Sequence, residues 1–232
     1  MKAELTDVER GYAVYTRRSL SIYDRFVLGF LNQAVWKCPT EELLTLYRAH
    51  ISTNHLEAGV GSGFFLEKTL PESEVRLALL DANRDCLEYA AARVEKFRPE
   101  IHQENILESI ELPGAGFDSI GLNYVLHCLP GNLETKAGLV IDHLAPYLHE
   151  KGTLFGSTIL GTEIQIPWLA RVMMKRFNTK GIFSNENDSL GAIMEVLSSR
   201  FKTFNVEVQG CVVLFWGKGL RDGFQRRLKG LE

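Results

Sequence analysis

One stretch constrains this chain more than any other: His55-Leu56-Glu57-Ala58-Gly59-Val60-Gly61-Ser62-Gly63-Phe64-Phe65-Leu66. A short run closes on an acid, glycines follow at alternate positions, and an apolar segment resumes. That order predicts a buried strand, a tight turn and the start of a helix. A reversal this tight needs positive φ, which glycine takes without a Cβ clash. Bare backbone also lets a ligand lie against the unpaired N–H groups at the helix start. Counting from Gly59, glycines fall at Gly61 and Gly63, and Phe64 stands where a dinucleotide fingerprint needs its third glycine. Glu57 would sit poorly beside a phosphate. It suits a ligand with an ammonium group and a sulfonium.

Val75 to Asp81 reads as a second buried strand that also ends on a carboxylate, 24 residues beyond Glu57. That is close to the roughly 20-residue spacing at which an acid grips a ribose. Every adenosine cofactor shares that need, and Asp81 could equally cap the helix predicted from Arg84 to Phe97, so the second acid alone does not choose. Combined with the glycine register, these stretches resemble the signatures of the class I S-adenosylmethionine-dependent methyltransferases, small-molecule type, over roughly residues 50–217. The resemblance implies an α/β fold: a Rossmann-like, seven-stranded, mostly parallel sheet with helices on both faces, an antiparallel last strand and a helical N-terminal cap. It implies S-adenosyl-L-methionine as cofactor, held by Glu57, Gly59, Gly61 and Asp81, with Ala82 and Asn83 along the adenine edge. Asn105 and Ile106 match the amide that bonds the adenine amino group and the apolar residue under the ring.

Phe117 to Gly131 supplies the fourth strand and the loop after it. In this family that segment faces the transferable methyl, which brings Asn123 and Tyr124 to the cofactor. His127 is the group in this loop suited to general-base work near neutral pH; a packing or pocket contact is the other reading. The segment ends in a Val-Leu-His run and lacks the Asp/Asn-Pro-Pro-aromatic tetrapeptide of enzymes that methylate bases or glutamine. The helix after it, the Glu150-Lys151-Gly152 turn and the strand from Thr153 to Gly161 match the later signature, with Ser157 and Thr158 toward the pocket. An apolar insertion over 162–186 takes the place of the family's substrate lid, with Trp168, Met173 and Met174 as candidate walls. Tyr15 and Tyr23, with Arg17 and Arg18, are candidates for the methionine end of the cofactor or for closure over the substrate, and Tyr23 is assigned to the cofactor. Aromatics at helical spacing also fit a plain core.

The chain divides as one domain, 1–232: a helical cap (1–49), a cofactor-binding core (50–160), a lid (161–200) and a closing β-hairpin (201–217). At 232 residues it is long enough to bury a core without disulfides or metals. A net charge of −3 with mixed signs argues against a nucleic-acid footprint. Cys38, Cys86, Cys128 and Cys211 form no CxxC pair and read as buried thiols, with no metal site. No apolar run reaches spanning length, and the acidic N-terminus is unlike a signal peptide. The expectation is therefore a cytoplasmic monomer or homodimer that methylates an O, N or S atom of a small, fairly apolar molecule. A silent S-adenosylmethionine-binding regulator is the alternative, and a nicotinamide-dependent oxidoreductase the weaker one.

Overall fold

The structure is a computed structural model that describes residues 11, 15, 16, 19, 20, 22, 24–228 and 230. Seven strands form one sheet in the order β3-β2-β1-β4-β5-β7-β6: β1 (Asn54–Ala58), β2 (Arg76–Leu80), β3 (Glu100–His102), β4 (Phe117–Asn123), β5 (Leu148–Ile159), β6 (Phe201–Gln209) and β7 (Val212–Leu220). β1 to β5 pair in parallel, and β7 runs antiparallel to both β5 and β6. This is the expected Rossmann-like sheet. The strand order reverses between β1 and β4, and ligands bind outside the carboxyl ends of strands at such a switch.

Burial on both faces explains why β2 is almost wholly apolar, whereas β1 and β4 bury the polar side chains His55, Glu57, Ser119 and Asn123 on one face. One face packs Leu56, Ile120, Leu122 and Leu154 against α4 (Leu133–Leu144) and α6 (Leu190–Arg200). On the other, Phe155 and Leu214 meet Leu43 and Tyr47 of α1 (Thr40–His50) and Leu31 and Trp36 of a π-wound helix, Asp24–Trp36. The stretch 24–50 is therefore a layer on the sheet. α2 (Phe64–Thr69) and α3 (Arg84–Arg93) complete the layers around Leu77 and Leu79. Each such side chain taken from water contributes about 1.5–3 kcal/mol.

Several boundaries differ from the sequence reading. β5 begins at Leu148 rather than Thr153, and its register against β4 shifts between Phe117 and Ser119 to absorb the Glu150-Lys151-Gly152 turn. α1 opens directly after Pro39, with Thr40 as its first helical residue. The Thr40 hydroxyl donates to the Leu28 carbonyl and accepts from Asn32 Nδ2, which fastens α1 to the helix before it. The stretch read as a lid splits in two. α5 (Trp168–Thr179) packs over Trp36, whereas α6 covers the sheet through Ile193, Val196 and Leu197. The closing hairpin is longer than expected, and a short helix α7 (Asp222–Leu228) follows it.

Candidate active site

Three neighbouring spaces lie at the carboxyl ends of β1, β2 and β4, and Tyr124 lines all of them. The first is a cleft of about 760 Å³, counted to its mouth, between the glycine turn, the end of β2 and the loop after β3. Gly59 holds φ at +80°, and its N–H donates to the Leu80 carbonyl at 2.8 Å, so the turn is stitched to β2. A Cβ there would stand 2.1 Å from Val125 Cγ2. At Gly61 a Cβ would meet nothing within 4 Å, because that position faces the open cleft.

Asp81 closes β2 at the cleft floor. Its Oδ2 accepts the Val60 N–H at 3.0 Å and its Oδ1 the Asn83 N–H at 2.8 Å. Burial pushes the carboxyl up to about 6, against the pull of the Asn83, Val60 and Gly61 amides. Ala82, Asn105 and Ile106 line the same cleft, as predicted. The Asn105 amide accepts from Leu107 N–H at 3.1 Å and donates to Glu108 at 2.7 Å, which fixes its plane. Cys86 and Leu129 complete the wall without any local signal in the sequence, and burial raises the Cys86 thiol well above its usual range, so it is an uncharged surface.

The side chain of Asn83 is engaged within the protein. Its side-chain oxygen caps α3 by accepting the Asp85 N–H at 2.9 Å, and its Nδ2 donates to the Tyr15 carbonyl at 2.9 Å. The residue that caps α3 is thus Asn83 rather than Asp81, and its side chain ties the N-terminal segment to the cleft.

The second space is a small chamber beneath the glycine turn, lined by Glu57, Gly59, Gly61, Phe65, Asn123 and Tyr124 among others. Glu57 is 3% exposed and accepts the Tyr47 hydroxyl on Oε1. Asn123 accepts the Ser157 hydroxyl, so Ser157 braces the chamber from β5 rather than facing a ligand. Tyr124 sits at φ +57°, unusual for a bulky residue, and its hydroxyl donates to Asn32 Oδ1 at 3.1 Å.

The third space is apolar, about 840 Å³, and includes Val27, Leu31, Trp36, Phe177, Ile182 and Phe183. Tyr15 and Tyr124 belong both to it and to the first cleft. His127 lies in its wall, in a single 3₁₀ turn, with Phe183 edge-on at 4.5 Å. Burial, then the Lys136 ammonium, pushes this imidazole down to about 3. The ring is neutral near pH 7, and the nitrogen turned to the sheet is Nδ1, 3.4 Å from Thr158 Oγ1 and 3.5 Å from the Ile159 N–H. That leaves the proton on Nε2. A ring this weakly basic is poorly suited to the general-base role expected of it.

Lys136 is 2% exposed and reaches three groups at once. Its Nζ donates to the Leu129 carbonyl at 3.2 Å and the Ser184 carbonyl at 2.5 Å, and lies 2.8 Å from Asp188 Oδ2. That oxygen receives no hydrogen bond of good geometry, so the pairing is one of charge. The lysine thereby ties the loop carrying His127 to the segment carrying Phe183, and the Ser184 N–H donates to the His127 carbonyl at 2.8 Å.

Of the other predicted residues, Trp168 is 76% exposed and lines none of the three spaces. Met173 and Met174 pack within the core between α5 and the sheet and do not reach the apolar cavity either. Phe177 of the same helix takes their place. Tyr23, Arg17 and Arg18 lie outside the described residues. Among the described residues, no helix is long and apolar enough to cross a membrane.

No family model matches the chain. It is 40% identical over 196 residues to the uncharacterized protein YbcY of Escherichia coli (strain K12), a match covering 83% of this chain and 99% of that one. It is 34% identical over 215 residues to the physcion biosynthesis cluster O-methyltransferase of Aspergillus chevalieri, covering 91% and 96%. Among solved structures, N-methyltransferase NodS from Bradyrhizobium japonicum WM9, in complex with S-adenosyl-L-homocysteine, has the same fold. It aligns with a TM-score of 0.60 at 18% identity over 88% of this chain and 98% of that one.

Proposed function

The chain belongs to the class I S-adenosylmethionine-dependent methyltransferases, and from that premise we propose that it methylates an oxygen of a small, apolar, ring-bearing molecule. The observation that carries this reading is the aromatic cavity around Trp36, Phe177 and Phe183, which adjoins the cleft through shared walls at Tyr15 and Tyr124. A relative of 34% identity named as an O-methyltransferase supports oxygen over nitrogen or sulfur.

The residues present fit the cofactor: an open cradle at Gly61, a carboxylate at the end of β2, and an apolar side chain at Ile106. When bound, the cofactor supplies a methyl group made electrophilic by the sulfonium. Asp81 then accepts the ribose hydroxyls, Ile106 packs under the adenine, and Glu57 receives the ammonium group in the chamber below the turn. Tyr15 and Tyr124 form the collar where the two reactants meet, and they exclude water there. Alignment within that collar accounts for most of the rate. His127, neutral and protonated on Nε2, offers a hydrogen bond that orients the acceptor oxygen. Since the cavity wall holds no strong base among the described residues, the acceptor reacts as an oxygen acid that has already lost its proton.

The test is turnover with methyl-labelled S-adenosylmethionine against matched panels of hydroxyl, amine and thiol acceptors on aromatic and polyene frames. Label confined to the oxygen acceptors is expected. Transfer only to nitrogen or sulfur overturns the oxygen assignment, and cofactor binding with no transfer to any acceptor favours the silent binding protein.

A further inference from the structure

We propose that His55 is a positioning residue for the amino-acid end of the cofactor: through one hydrogen bond it holds the Glu57 carboxylate at the floor of the chamber beneath the glycine turn. The inference rests on the methyltransferase reading and assigns it a residue that lines none of the three spaces.

The placement follows from strand register. β1 and β4 run parallel with His55 opposite Ser119 and Glu57 opposite Gly121. Side chains two apart share a face of a strand, so these four positions form a single square on the α1 side of the sheet. His55 Nε2 lies 2.9 Å from Glu57 Oε2, and His55 Nδ1 lies 2.8 Å from Ser119 Oγ. Ser119 Oγ in turn accepts the Ser52 N–H at 2.9 Å and touches Ser52 Oγ at 2.8 Å. From α1, the Tyr47 hydroxyl donates to the other oxygen of Glu57 at 2.5 Å. Phe155 covers the group, parallel to His55 at 5.9 Å and edge-on to Tyr47 at 5.0 Å.

The fourth corner of the square is vacant by design. A Cβ at Gly121 would stand 2.3 Å from Glu57 Oε2 and 3.2 Å from the His55 ring. The carboxylate thus occupies the space where residue 121 would carry its side chain. Each carboxylate oxygen has two acceptor directions, and here each uses one, leaving capacity for a cationic group in the chamber. His55 is fully buried, so it acts only through Glu57. A chain that needed only a stable β1–β4 contact would be served as well by apolar side chains, which tolerate burial without partners. Of the five side chains in the network, Glu57 alone lines the chamber, and the others serve its placement.

The test compares two ligands by calorimetry on the full chain. S-adenosylhomocysteine carries the ammonium group, and 5′-methylthioadenosine has the same nucleoside and thioether without it. His55→Asn keeps a polar group near Ser119 but withdraws it from Glu57, whereas His55→Gln carries an N–H at the Nε2 position. The expected result is at least a tenfold loss of S-adenosylhomocysteine affinity in His55→Asn, methylthioadenosine unchanged within twofold, and recovery to within threefold in His55→Gln. Equal weakening of both ligands would reduce His55 to a structural residue and overturn the proposal. So would undiminished S-adenosylhomocysteine binding in His55→Asn, or a glutamine variant no better than the asparagine one. If His55→Asn fails to fold, Tyr47→Phe removes the second donor with its ring in place and carries the same comparison. Failure of the unmodified protein to bind either ligand would instead undo the cofactor assignment itself.

Discussion

Replacing Lys136 by methionine removes a charge that the fold has enclosed from every side. Asp188 is 1% exposed, and its carboxylate would lose the ammonium 2.8 Å away. The Leu129 and Ser184 carbonyls would lose a donor in the same step. Breaking a buried pair from one side costs about 3–5 kcal/mol, since the remaining charge is uncompensated. For a chain of this size each kcal/mol lowers Tm by about 2–4 °C, so a fall of roughly 6–20 °C is expected. The sign with pH is also fixed. Burial already raises the Asp188 carboxyl to about 6, with Lys136 pulling it back, so the variant raises it further. An acid that binds its proton more tightly folded than unfolded loses stability as pH rises between the two values. The deficit should therefore be larger at pH 8 than at pH 5. Urea unfolding at both pH values measures it, with the double variant Lys136→Met/Asp188→Leu as comparison. Removing both charges should recover most of the loss, because an apolar pair of similar volume replaces a buried ion pair at little cost. A single variant that costs under 1 kcal/mol, or a double variant no more stable than the single, would refute this account of the clamp.

Asp81 should make cofactor affinity depend on pH: with its carboxyl near 6, S-adenosylhomocysteine binds more weakly at pH 5 than at pH 8, and Asp81→Asn removes most of the difference. A flat calorimetric profile in the unmodified protein would contradict this. The same carboxyl makes the ligand-free protein lose stability as pH rises from about 4 to 6, which urea midpoints across that window would reveal. The His127 imidazole, held near 3, should show no NMR titration between pH 5 and 8. Asn83→Ala deletes the α3 cap and should cost about 0.5–2 kcal/mol. It also frees the Tyr15 carbonyl, so S-adenosylhomocysteine affinity should fall together with stability; a change in neither would show that the tie is idle.

The glycine turn and the acids at Glu57 and Asp81 were legible because they are local: a few consecutive residues encode strand end, turn and helix start. Parallel strands then gather their carboxyl ends, which is why Asn105, Ile106, Asn123 and Tyr124 meet as expected without being near one another in sequence. The acceptor walls were less legible. Which face of α5 turns inward is written in its cations: Trp168 shares its side with Arg171, Val172 and Lys175, all exposed, whereas Ala170, Met174 and Phe177 point to the core. The reading that favoured Trp168 weighed residue type above phase. Lys136 also left a trace, since it falls on the apolar stripe of α4 with Leu133, Ala137, Val140 and Leu144. A lysine there needs a buried partner, and the polar run Asn185-Glu186-Asn187-Asp188 ahead of α6 supplies one in Asp188. The network behind Glu57 had no such trace. It depends on the β1–β4 register, which no local pattern fixes.

The π-wound helix and the stretch from Ile159 to Phe183 supply most of the apolar cavity, and neither contributes to the cleft that Asp81 and Ile106 line. Recognition of the acceptor is in this sense modular. On the proposed function, new tastes can be acquired by rewriting the seven lining positions these segments supply, from Val27 to Phe183, while the donor side stays untouched. Tyr124 is where that freedom ends, because its ring belongs to every compartment and its backbone is already twisted to suit them all.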